Sequence, residues 1–168
     1  MKLHIVRHGI AEERNPGKYP DDSRRPLTAS GAKKIKSAFK GMAALQVKPD
    51  IILSSPYARA RKTAEIIARG LEKKVPVKLV SALEPDSAIP EIVKEMSAAS
   101  RGRKSIMLVG HEPHLSRLLG FLLSGKQMGR LELKKGALCT LQIQGRPLPG
   151  NANLLNFLSP RTLRLLSD

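Results

Sequence analysis

The sequence predicts an α/β protein, a three-layer α/β/α sandwich around a mostly parallel sheet. Apolar runs of strand length alternate with amphipathic stretches of helical period, the pattern of strands joined by crossover helices. No repeat, low-complexity segment or long linker interrupts the alternation, so residues 1–168 are expected to form one domain with its own core. Only the C-terminal part changes character, to two strand-like runs joined by a Gly/Pro-rich turn.

Residues 3–6 read as the first strand. Thr28 is placed to N-cap a helix whose apolar residues Ile35, Ala38, Phe39, Met42 and Leu45 follow helical spacing. Residues 50–53 read as the second strand, and a helix from about Tyr57 turns Ala64, Ile67, Ala68 and Leu71 inward. Residues 75–80 give a third strand, where Pro76 argues for an edge position or a strand start. A short helix over 89–96 and a strand over 105–109 follow. The next helix has Leu115, Leu118, Leu119 and Leu122 on its packed face. The runs 136–144 and 151–158 flank the turn at 145–150, and a last short helix follows Pro160.

Composition sets bounds on function. Apolar residues make up 41% and charged residues 26% of the chain, ordinary values for a soluble globular protein. The longest apolar helix candidate is too short to span a bilayer and is interrupted by Ser116, Arg117 and Gly120. The N-terminus lacks a secretory signal, and the single Cys139 fits a reducing compartment, so the cytoplasm is the expected location. The net charge of +16 favours an anionic partner. Aromatics are only 3% and the basic residues are spread along the chain, which favours general solubility or an acidic protein partner over nucleic acid.

The chemistry gathers after the strands. The first is followed by Arg7-His8-Gly9, the second by Ser54-Ser55-Pro56-Tyr57-Ala58-Arg59, and the strand ending at Val109 by Gly110-His111-Glu112-Pro113. Ligands of open α/β sheets bind beyond the carboxyl ends of the strands, and three such ends here deliver two arginines and two histidines. Arginine grips phosphate oxygens with a fixed fork of donors that keeps its charge. An imidazole nitrogen can attack phosphorus and form a covalent intermediate near neutral pH. Gly9 is expected to let the backbone turn tightly beside the phosphate, and the following helix N-termini add N–H donors.

Taken singly, each element has a plainer explanation. An Arg-His-Gly triplet arises by chance in about one chain in a hundred. Arg59 alone reads as a solvated helix-start residue, and His111 alone as a core histidine or helix cap. Their placement at matching strand ends is what outweighs this. His111-Glu112-Pro113-His114 superficially resembles a zinc-protease helix. Its histidines are three apart rather than four, and Pro113 points to a helix start, so no metal site is expected.

The set Arg7-His8-Gly9, Ser55-Pro56-Tyr57-Ala58-Arg59-Ala60 and Gly110-His111 resembles the histidine phosphatase, or phosphoglycerate mutase-like, superfamily. Arg7-His8-Gly9-Ile10-Ala11-Glu12, Arg25-Pro26-Leu27-Thr28 with Gly31, and the closing 155–160 segment with Leu163 are similar to its SixA-type branch of phosphohistidine phosphatases. The resemblance implies a phosphoglycerate mutase-like fold and catalysis without a cofactor. It makes His8 the phosphate-accepting nucleophile, and Arg7, Arg59 and His111 the rest of the phosphate pocket. Arg25 would help hold the phosphate or its bearer, its alternative being a surface charge before a helix.

For the general acid two candidates stand, Asp22 in the loop before Arg25 and Glu84 after the third strand. Asp22 is preferred, while Asp21 and Glu12 read as solvated loop charges. Only 52 positions separate Arg59 from His111, which leaves no room for the large helical cover of the mutase and sugar-phosphatase branches. An open pocket suits a phosphorylated side chain on another protein. The expected function is therefore removal of phosphate from phosphohistidine on an acidic phosphotransfer protein, releasing inorganic phosphate. The alternatives are a phosphomonoesterase for a small metabolite, and a non-catalytic basic module that binds nucleic acid or acidic protein. Nothing in the sequence specifies an oligomeric state.

Overall fold

Alternation of side chains along each strand decides how this chain layers. The computed structural model describes residues 1–127 and 131–166. Its sheet has six strands: β1 (Lys2–Arg7), β2 (Ile51–Ser54), β3 (Val77–Leu79), β4 (Ser105–Gly110), β5 (Leu138–Ile143) and β6 (Ala152–Leu158), in the order β3-β2-β4-β1-β5-β6. The pairs β3–β2, β2–β4 and β4–β1 are parallel, and β1–β5 and β5–β6 are antiparallel. The sheet is thus mixed but mostly parallel, as the sequence predicts.

Among the described residues five α-helices cover it: α1 (Ala29–Ala44), α2 (Ala58–Gly70), α3 (Ile89–Ala99), α4 (His114–Ser124) and α5 (Pro160–Leu165). Successive strand residues face opposite ways, so the buried apolar residues fall into two clusters. Leu3, Ile5, Leu53, Ile106 and Leu108 pack against Ile92 and Met96 of α3 and the leucine stripe of α4. Val6, Ile52, Met107 and Val109 pack against Ile35, Phe39 and Met42 of α1, Ala64 and Ile67 of α2 and Leu163 of α5. Two cores on one sheet give the three layers.

Local chemistry sets the element ends. The Thr28 side chain accepts from the Gly31 N–H and starts α1. Ser159 caps α5 in the same way, through Thr162. The third strand is shorter than its apolar run because Pro76 has no N–H to donate, and it lies at the sheet edge as expected. Leu45, expected on the buried stripe of α1, is instead its C-cap and 38% exposed, because the helix ends one residue earlier. Helix α3 runs three residues beyond the expected stretch. Among the described residues no helix is long and apolar enough to cross a membrane.

Candidate active site

The three parallel strands β2, β4 and β1 are neighbours, so their carboxyl ends meet. Backbone bonds continue past the strands, from His8 N–H to the Gly110 carbonyl (3.1 Å) and from Ser55 N–H to the Val109 carbonyl (3.0 Å). They draw His8, Ser55 and His111 into one place. The His8 and His111 rings lie 5.0 Å apart between centroids, and Tyr57 meets His111 edge-on at 5.1 Å.

His8 is 6% exposed, and its Nδ1 donates to the Gly9 carbonyl at 2.7 Å. That bond fixes the tautomer and leaves Nε2 as the nitrogen with a lone pair. Burial pushes the His8 imidazole down to about 3; the bond to Gly9 opposes the shift, and the charges of Arg59, Arg7 and Lys135 add to it. The ring is therefore neutral at physiological pH, the form that can attack phosphorus. His111 shares a 2.9 Å hydrogen bond between its Nε2 and the Ser55 hydroxyl. Burial, followed by the influence of His8, Arg59 and His114, holds it down at about 2.

Both arginines are anchored from outside. Arg7 donates from Nη1 to the Leu133 carbonyl at 2.7 Å and to Glu132 at 3.3 Å. Arg59, on the first turn of α2 and 4% exposed, donates from Nη1 to the Asp22 carbonyl (2.8 Å) and from Nη2 to the Asp22 carboxylate (2.9 Å). Its guanidinium also stacks 5.0 Å from the Tyr57 ring. Among the described residues, Arg7 Nε, Arg59 Nε and His111 Nδ1 are buried without a hydrogen-bond partner. Buried donors left unpaired are costly, and these three belong to side chains grouped with His8.

Arg25 and Asp22 belong to the same constellation. Arg25 donates from Nε to the other Asp22 oxygen at 2.9 Å and from Nη1 to the Glu12 carbonyl at 2.7 Å. Asp22 thus sits between two guanidinium groups. Burial alone would raise its pKa, but the bond to Arg25 and the charge of Arg59 outweigh it and hold the carboxyl below the usual range. Glu84 ends the short 3₁₀ turn after β3. Its charge reaches the Tyr57 phenol, which is pushed up chiefly by burial and then by Glu84, so this carboxylate stands on the Tyr57 side of the site.

Gly9 needs a different explanation from the expected tight turn. Its φ is not in the left-handed region, and a Cβ there would meet Ile35 Cγ1 of α1 at 2.7 Å. The glycine lets the His8 loop lie against α1. Its N–H donates to the Thr63 hydroxyl (3.1 Å), which itself donates to the Arg59 carbonyl one helical turn back (2.7 Å). Thr63 therefore links the His8 loop to the arginine helix.

The sequence reading did not single out Thr63, Ser55 as the partner of His111, or Glu112. Glu112 accepts from the Leu133 N–H (2.9 Å) and from the Ser116 hydroxyl (2.6 Å), fixing the segment that holds Arg7. Thr63 and Ser116 lie four residues after Arg59 and Glu112, a helical spacing that is the available signal. Among the described residues, no three His, Cys, Asp or Glu side chains are grouped to hold a metal ion.

Comparison with known proteins bears on the family and the fold. Residues 3–84 match the model of the histidine phosphatase superfamily (branch 1). An uncharacterized protein of Picosynechococcus sp. is 33% identical over 144 residues, covering 84% of this chain and 85% of the relative. Phosphohistidine phosphatase SixA of Escherichia coli K12 is 25% identical over 127 residues, covering 75% of this chain and 76% of that protein. A solved structure of the protein histidine phosphatase SixA complexed with tungstate superposes with a TM-score of 0.83 at 23% identity, covering 97% of this chain and 99% of the other. The alpha-ribazole phosphatase of Shigella flexneri shares the fold at a TM-score of 0.72 and 16% identity, covering 95% and 97%. On the family match, the sequence relatives and the shared fold together, the chain belongs to the histidine phosphatase superfamily, branch 1, and is a hydrolase that acts as a phosphatase.

Proposed function

We propose that this phosphatase removes phosphate from phosphohistidine on a phosphotransfer protein, through a phospho-His8 intermediate. The observation that carries the chemistry is the neutral His8, with Nδ1 tied to the Gly9 carbonyl and Nε2 left with its lone pair among Arg7, Arg59 and His111. Nε2 attacks phosphorus as the bond from phosphorus to the substrate nitrogen breaks, and the electron pair of that bond goes to the departing imidazole, which takes up a proton. Water then attacks phospho-His8, releasing inorganic phosphate and restoring the ring. The arginines and His111 hold the phosphoryl oxygens through both steps.

The choice of substrate is supported by the similarity to SixA in sequence as well as in fold, and by the short segment between Arg59 and His111. A small phosphate ester is the second reading, favoured by the fold shared with alpha-ribazole phosphatase. The purified chain is to be supplied with phosphohistidine protein and with several small phosphate esters, and quenched to trap acid-labile phosphate. The expected result is label on His8, no label and no turnover in a folded His8→Ala variant, and preference for the protein substrate. Label that survives His8→Ala sinks the mechanism, and fast ester hydrolysis with phosphohistidine protein left intact sinks the substrate.

A further inference from the structure

We infer that an open groove beside the site, between the turn that carries Asp22 and the start of α2, is the docking surface for an acidic face of the phosphorylated protein. The inference rests on the phosphohistidine-protein reading above. The groove has a volume of about 490 Å³ and is lined by Ser23, Arg24, Pro56, Ala58, Arg61, Lys62 and Glu65.

Its two walls are the segments that build the site. Ser23 and Arg24 lie between Asp22 and Arg25, which hold each other and, through Asp22, Arg59. Pro56 and Ala58 flank Tyr57, and Ala58 directly precedes Arg59. The groove is therefore built from the immediate chain neighbours of Asp22, Arg25 and Arg59.

The charge of the groove selects the partner. Arg24, Arg61 and Lys62 are exposed, against one carboxylate, Glu65. Glu65 pairs with Arg61 at 2.9 Å and more loosely with Lys62 at 3.8 Å, while Arg24 makes no ion pair among the described residues. Exposed pairs of this kind are weak, so carboxylates of a partner compete for the same cations at little cost. The groove is too open to enclose a small molecule, and suits a convex acidic surface such as a helix face. Charges at such a rim act mainly on encounter and on salt dependence, and much less on bond-breaking.

The test separates docking from chemistry. Arg24→Glu, Lys62→Glu and their combination are to be assayed on a phosphohistidine-bearing acidic phosphotransfer domain and on phosphoramidate. The expected result for the double variant is a KM for the protein raised about tenfold, with kcat/KM for phosphoramidate within about twofold of wild type. The gap in KM should narrow as salt rises from about 50 to about 300 mM, because screening shortens the reach of the rim charges. Lys36→Glu with Lys40→Glu makes the same charge change on the exposed face of α1 and should leave both substrates unaffected. An unchanged KM for the protein overturns the groove, as does equal loss on both substrates or an equal effect of the α1 control. Failure of the wild-type chain to act on the phosphohistidine domain overturns the substrate reading and the groove together, and is told apart by occurring before any substitution.

Discussion

Asp22 puts one carboxylate between two guanidinium groups, Arg25 on one oxygen and Arg59 on the other, both at 2.9 Å. A carboxyl whose pKa its partners hold low gives up its proton easily and regains it poorly, so it is ill suited to protonate a leaving group at neutral pH. We propose that in this arrangement Asp22 aims Arg59 and that the proton for the leaving nitrogen comes from another source. Asp22→Asn keeps the side-chain shape and removes the charge. It should lower kcat/KM by roughly tenfold or more, and by the same factor for esters with good and poor leaving groups. A loss confined to poor leaving groups would restore Asp22 as the acid. His8, Arg7, Arg59 and His111 were legible because strand ends in an α/β sheet collect ligand chemistry, whatever the details of their contacts. The anchors of those residues were not legible. Leu133 serves Arg7 through a backbone carbonyl, which its residue type does not advertise, and Gly9 answers to Ile35, a contact 26 positions away in the sequence.

Helix α1 shows how one element supports both the fold and the site. At its first turn Gly31 lies so close to the loop after His8 that a Cβ would sit 2.1 Å from the Ile10 carbonyl oxygen. Further along, Gly41 has the same relation to α5, where a Cβ would come within 1.8 Å of the Leu163 carbonyl oxygen. Both obstacles are backbone atoms, so a methyl group must move an element. Gly31→Ala and Gly41→Ala should each lower stability by about 1–3 kcal/mol, measured by urea unfolding. Only Gly31→Ala should also reduce kcat/KM, since Ile10 is two residues from His8. Equal kinetic effects of the two would mean that α1 position does not reach the nucleophile. Helices of this kind were readable from spacing, and Thr28 from its capping chemistry. The segment from Leu131 to Gly136 was not, because it has no period and is held by outside groups, Glu112 on Leu133 N–H and the Arg7 carbonyl on Gly136 N–H (3.0 Å).

At the scale of the whole molecule, the chain's histidines make stability depend on pH. All four are buried, His4 at 3%, His8 at 6%, His111 at 2% and His114 at 0% exposure. Burial is the main cause that lowers each of them from 6.5, to about 4, 3, 2 and 4 respectively. Between those values and 6.5 the unfolded chain binds more protons than the folded one, so stability rises with pH through this window and levels off above about 7. Read downward, stability is lost from about pH 6.5, through all four histidines to about pH 4 and through His8 and His111 below that, with a slope of at most roughly 5 kcal/mol per pH unit where all four respond fully. A domain with a total of about 5–15 kcal/mol unfolds within such a window. The net charge of +16 already disfavours compactness, and protonating four histidines adds to it. The urea midpoint should therefore fall steeply between pH 7 and pH 5, and activity should fall with it, reversibly, because His8 itself stays neutral in the folded chain. His114 isolates one contribution, since among the described residues both its ring nitrogens are buried without a hydrogen-bond partner. His114→Leu removes those two unsatisfied groups together with the titration. It should leave stability at pH 7 equal or higher and flatten the slope below pH 6.5 by about a quarter. A wild-type midpoint that stays level from pH 7 to pH 5 would show that the histidines do not couple protonation to folding.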